Sequence, residues 1–159
     1  MIRARPMSLF AGRLVAAALM LLAGPALAEV HLSSAWIRAL PPTQPVTAAY
    51  LEVMNHGQQA VTITGASVEG AGRVEMHTSE EVDGTVRMSR LSDLTVAPGQ
   101  TVSLAPGGAH LMLFDLSAMP RPGDTRRICL SLASGAEACI EADVRKSAAD
   151  SQHEHHQHH

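Results

Sequence analysis

Cysteine is nearly absent from this 159-residue chain: there are two, Cys129 and Cys139, and no Cys-x-x-Cys. That removes dithiol exchange of the thioredoxin kind. No Gly-x-Ser-x-Gly, His-Glu-x-x-His or phosphate-binding glycine loop occurs either, so nothing marks a serine hydrolase, a zinc peptidase or a P-loop enzyme. The folded part offers only His31, His56, His77 and His110, too few for a copper oxidase or a superoxide dismutase, and the chain is not expected to be an enzyme. Large aromatics are scarce, with Trp36, Tyr50 and Phe114 the ones outside the N-terminal stretch, which leaves the core to Val, Leu, Ile and Ala. No apolar run reaches the roughly 18–20 residues that cross a bilayer. No segment carries a sustained helical period, and there is no internal repeat.

What is present begins with an address. Arg3, Arg5 and Arg13 form a basic stretch without acids, Leu14 to Leu22 is apolar, Gly24-Pro25 breaks the run, and Ala26-Leu27-Ala28 is a small-x-small site. This is the three-part pattern of a cleavable export signal, with cleavage expected after Ala28. Residues 1–28 carry three arginines and no acid, so their loss moves the formal net charge from −3 to −6 over the 131 residues that remain. An acidic domain is a poor partner for nucleic acid or an anionic membrane. Export to the periplasm also places both cysteines where disulfides form.

Residues 29–146 read as one all-β domain of short strands divided by turn signals, the pattern of a sandwich or barrel. Strands are expected at Val30–Arg38, Val46–Met54, Ala60–Val68, Val74–Thr78, Thr85–Leu91, His110–Leu116, Arg126–Leu132 and Glu137–Val144. Between them lie Pro41-Pro42, Asn55-His56-Gly57, Asp83-Gly84, Pro98-Gly99, Pro106-Gly107-Gly108 and Pro122-Gly123, each a turn former for a known backbone reason.

Four donors stand out on these segments. His77 ends Val74-Glu75-Met76-His77, Met88 follows after ten residues, His110 after twenty-one more, and Met112 lies two beyond it. Positions i and i+2 of a strand share a face about 6.6 Å apart. His110 and Met112 therefore point one way while Leu111 and Leu113 point into the core. Thioether sulfur is a soft, neutral donor that favours Cu(I), and imidazole also accepts copper. Methionine cannot be lost to a disulfide in an oxidising compartment. Because both imidazoles must be neutral to bind, affinity is expected to fall as pH drops through about 6.5. Taken singly, each Met is ordinary core filling and each His an ordinary surface residue. Met54, Met119, His31 and His56 are read that way, and Met76 should face away from His77. A blue electron-transfer site would need a Cys thiolate with two His, and no His follows either cysteine within the last two strands.

The spacing Met76-His77, ten residues, Met88, twenty-one residues, His110-x-Met112 resembles the motif of the PCu(A)C family of periplasmic copper chaperones. Supporting matches are Ala35-Trp36-Ile37-Arg38, Ala48-Ala49-Tyr50-Leu51 with Asn55, and Pro106-Gly107-Gly108-Ala109 before His110, so the likeness spans about residues 30–144. The resemblance implies a cupredoxin-like, Greek-key β-sandwich acting as a monomer. It also implies a Cu(I) site of His77, Met88, His110 and Met112, and a role in supplying copper for cytochrome c oxidase assembly. The expected recipient is an oxidase subunit or a Sco-type thiol protein. A copper buffer or resistance protein would use the same ligands without a specific recipient.

Two features lie outside that motif. Pairing across Ser134-Gly135 sets Cys129 opposite Cys139, so a cross-strand disulfide is expected, with a thiol pair for copper or redox exchange as the alternative. Residues 147–159 hold His153, His155, His156, His158 and His159 and no apolar residue beyond alanine, so they are expected to stay disordered without a ligand. Glu154 and Gln157 interrupt the histidines, unlike an affinity tag. Such a tail suits Cu(II) and is expected to capture it beside the Cu(I) site.

Overall fold

The computed structural model describes residues 30–149; the expected export signal and the tail histidines lie outside the described residues. Every regular element of length is a strand: β1 (Val30–Arg38), β2 (Thr47–Asn55), β3 (Val61–Val68), β4 (Ala71–Val82), β5 (Thr85–Leu91), β6 (Leu94–Val96), β7 (Thr101–Leu104), β8 (His110–Leu116), β9 (Thr125–Leu132) and β10 (Glu137–Arg145). The expected all-β domain is what forms, with two short strands, β6 and β7, that alternation alone does not reveal.

The strands join in one open sheet in the order β5-β4-β8-β2-β1-β10-β9-β3-β6, with β7 on β2. Its pairs are antiparallel except β1–β10, which run parallel over Trp36–Arg38. The sheet rolls over. Although β6 lies five places from β2 along that order, the Asn55 side chain at the end of β2 donates to Val96 O of β6 at 3.0 Å. Both halves thereby face one core, in which Ile37, Leu51, Val53, Ile63, Leu111, Leu113, Ile128 and Leu130 are fully enclosed. Aliphatic side chains alternate inward along β2, β8 and the first half of β4, leaving Arg73, Glu75 and His77 of β4 and the even positions of β2 and β8 up to Phe114 on the outer surface.

A bulge between Ser33 and Trp36 changes that parity within β1, with Ser34 at φ 54°. Val30 and Leu32 point inward before it and Ile37 after it. An inserted residue re-aims the side chains beyond it. Trp36 therefore emerges on the outer face against Tyr50, ring centroids 4.5 Å apart, and beneath Arg38 and Arg145, whose guanidinium carbons lie 6.0 and 4.8 Å from its centroid.

Asp83 and Gly84 both take positive φ, 53° and 74°, and close the β4–β5 hairpin in the two-residue turn that matches strand twist. The hairpin outruns β8, which pairs with β4 only as far as His77, while β5 pairs from Met76 to Val82. For that reason β4 is far longer than the Val74–Thr78 segment expected: its distal half leaves the core and loses its apolar alternation.

Cys129 and Cys139 are direct cross-strand partners on β9 and β10 and are joined in a disulfide. The bond bridges a separation of ten residues, and restricting so short a loop in the unfolded chain is worth about 2–3 kcal/mol. Reduction is expected to lower the stability measured by guanidinium unfolding by that amount. An unchanged midpoint with two free thiols confirmed by mass would count against a stabilising bond.

Candidate metal centre

The outer face of β5-β4-β8-β2 collects the donors. On β4 the outward residues are Arg73, Glu75, His77 and Ser79, and on β8 they are His110, Met112 and Phe114. The register sets His77 against His110, Glu75 against Met112 and Arg73 against Phe114. On the other side of β4, Arg90 stands against His77 and Met88 against Ser79. Ala48 of β2 flanks Met112, so the neighbour on that side is small. Met76 is buried in the core, facing away from His77 as expected.

His77 and His110 stand side by side, ring centroids 6.2 Å apart at 34°. The Nδ1 of His110 lies 2.8 Å from Gly108 O. A carbonyl only accepts, so that nitrogen carries the proton and Nε2 keeps its lone pair. For His77, Nε2 meets Glu75 Oε2 at 2.9 Å, and Nδ1 is buried without any partner. An orphaned buried nitrogen costs desolvation unless something fills it. Each ring therefore presents one bare nitrogen, and with the thioethers of Met112 and Met88 on the same face the donor set fits a soft cation. Among the described residues no group of three or more His, Cys, Asp or Glu is placed to hold a metal ion.

The four candidate donors differ in exposure. His110 is 5% exposed and the side chain of His77 16%, whereas Met88 is 54% exposed on β5, an end strand of the sheet. Three donors are neighbours on paired strands; Met88 shares their face from the rim. The tail histidines lie outside the described residues. His31 and His56 meet at the far end of the sheet, centroids 6.0 Å apart, well away from the other pair.

Around the donors the electrostatics are organised. Arg73 and Arg90 both pair with Glu75 Oε1, Arg90 at 3.5 Å, and Arg73 lies 4.1 Å above the Phe114 ring. The His77 hydrogen bond above all, with help from Arg90 and Arg73, holds the Glu75 carboxyl below the usual carboxylate range despite its partial burial. Tyr50, 6.4 Å from His110, walls the site on the β2 side; burial pushes its hydroxyl up, and Arg38 offsets part of that. Sequence reading missed Glu75, although a Glu-x-His on one strand places both side chains on one face.

Comparisons with known proteins bear on the fold and the family. The copper-bound PCuAC domain from PmoF2 superposes with a TM-score of 0.63 over 77% of this chain and 97% of that one, at 23% identity, a likeness of fold. The Cu(I) form of DR1885 from Deinococcus radiodurans does so with a TM-score of 0.58 over 77% and 82%, at 26% identity. The fold is thus the cupredoxin-like β architecture of PCuAC copper-binding domains. In sequence, the chain is 29% identical over 117 residues to Lxx21020 of Leifsonia xyli subsp. xyli (strain CTCB07), which bears a lipoprotein name, over 73% of this chain and 69% of that one. The model of the LpqE-like family matches residues 30–144, and the chain belongs to that family.

Proposed function

We propose that this chain is a periplasmic copper chaperone that binds Cu(I) through His77, Met88, His110 and Met112 and passes it to a partner in cytochrome c oxidase assembly, an oxidase subunit or a Sco-type protein. One observation carries the reading: two cross-strand histidines, each with a bare ring nitrogen, share a face with two thioethers. All four donors are neutral, so the ion is held by softness rather than by charge, and no thiolate has to take up a proton when it leaves. The exposed Met88 is the donor a recipient reaches first and the one most easily replaced. The copper-bound neighbours support the metal. The leader-like residues 1–28 and the lipoprotein name of the relative support export.

Titration and transfer test this together. The full chain and a chain lacking residues 147–159 are each expected to take up one Cu(I) and to lose it to an apo fragment carrying an oxidase copper site, at a rate that rises with acceptor concentration. A rate fixed at that of simple dissociation would make the protein a buffer. Failure of both chains to bind Cu(I) would end the proposal. In the same pair, the truncated chain is expected to bind fewer Cu(II); equal Cu(II) uptake would remove the tail from the scheme.

A further inference from the structure

We infer that Glu75 is the positioning residue of the copper site, fixing the His77 ring so that Nδ1, and not Nε2, is the nitrogen offered to the ion. The inference deepens the copper-binding reading and rests on it.

Glu75 and His77 are two apart on β4, and their partners on β8 are Met112 and His110. The four side chains occupy adjoining corners of one patch, so the carboxylate flanks the donors directly. Its Oε2 lies 2.9 Å from His77 Nε2. An ionised carboxylate only accepts, so the Nε2 proton is committed to it and the remaining lone pair is on Nδ1, the nitrogen left buried and unpartnered. A ring held this way cannot flip or change tautomer without breaking that bond and exposing the wrong nitrogen to the site. The carboxylate is itself held: Oε1 is taken by Arg73 and by Arg90 at 3.5 Å. Arg73 is in turn anchored over Phe114. Arg90 stands on β5, two residues from Met88, so Glu75 also ties the rim strand to the histidine pair. Two imidazoles and two thioethers bring no charge to Cu(I), and Glu75 sets a carboxylate beside them. His110 has the opposite arrangement, its Nδ1 proton committed to Gly108 O, so the two histidines offer different nitrogens.

Loss of a hydrogen-bond partner behind a metal-binding histidine lowers affinity by about 10- to 100-fold, and that is the expectation for Glu75→Ala in the full chain, read by competition with a Cu(I) chelator. Glu75→Gln keeps an oxygen that accepts the Nε2 proton and is expected to recover most of that loss. A readout independent of copper is the ring itself: long-range 1H–15N spectra of the apo protein are expected to show His77 protonated on Nε2 in the unmodified chain and in Glu75→Gln, and a mixture of tautomers in Glu75→Ala. Thermal melts identify a variant that has merely unfolded. An unmodified chain with the His77 proton on Nδ1, or Glu75→Ala with undiminished affinity and an unchanged tautomer, would overturn the inference. Unimpaired Cu(I) binding by His77→Ala would instead remove the copper site, a separate failure.

Discussion

His110→Ala is expected to weaken Cu(I) binding by more than about 100-fold while the protein stays folded. Removing a group that merely supports a ligand costs about 10- to 100-fold, and deleting the donor should exceed that. His110 is the most enclosed of the two histidines and is oriented by its bond to Gly108 O. Little of the change falls on the fold. The ring faces outward from β8, whereas Leu111 and Leu113 on either side of Met112 carry the core, so the structural loss is one hydrogen bond, on the order of 1 kcal/mol, and the ring's packing beside Tyr50 and His77. Met88→Ala should cost least of the four. Its side chain stands in solvent before copper arrives, and ordering a methionine offsets about 1–2 kcal/mol of whatever the sulfur contributes. Chelator competition across the four alanine variants checks the ranking. Near-normal affinity in His110→Ala would refute the site, and an effect of Met88 as large as that of His110 would mean that the rim donor is already fixed in place.

How far such a site can be read from sequence depends on what sets each contact. The i, i+2 alternation placed His110 with Met112 and turned Leu111 and Leu113 inward, because strand parity is local. It could not pair His77 with His110 across thirty-odd residues; that register comes from how β4 docks on β8, a long-range event, and only the family spacing hinted at it. Parity also fails at the β1 bulge, since Ser33 and Ser34 are neutral to either face, and so the outward Trp36 is invisible. β6 and β7 have three and four residues, too few for any period to register. Asn55 illustrates the limit best. Read with His56 and Gly57 it is simply a turn residue, yet the structure makes it the last residue of β2 with its side chain in the interior. Nothing in a single polar letter tells how many partners await it.

Those partners make Asn55→Ala the substitution expected to cost the most stability, and without touching copper. At 0% exposure, Nδ2 donates to Gln59 O at 2.7 Å and to Val96 O at 3.0 Å, and Oδ1 accepts from Gly57 N at 2.9 Å. One side chain thereby fastens the end of β2, the turn after it and β6, where the sheet rolls over. Alanine strands two buried backbone groups and a part-buried one at about 1–3 kcal/mol for each buried group; the expected loss is about 3–5 kcal/mol, or on the order of 15 °C in Tm for a domain of this size. Asn55→Asp separates bonding from volume: it preserves the shape and the Gly57 contact but sets a carboxylate against two carbonyls. Burial raises the pKa of such an acid, and an acid whose folded value is raised binds its proton more tightly in the folded chain. The deficit of this variant should therefore shrink as pH falls from neutral towards the unfolded value near about 3.9. Seven residues of strand, about 23 Å at roughly 3.3 Å each, separate Asn55 from Ala48 beside Met112. Cu(I) affinity of folded Asn55→Ala should accordingly match that of the unmodified chain, the converse of His110→Ala. Denaturant melts within about 1 kcal/mol of the unmodified protein would show that the roll-over of the sheet does not hang on this amide.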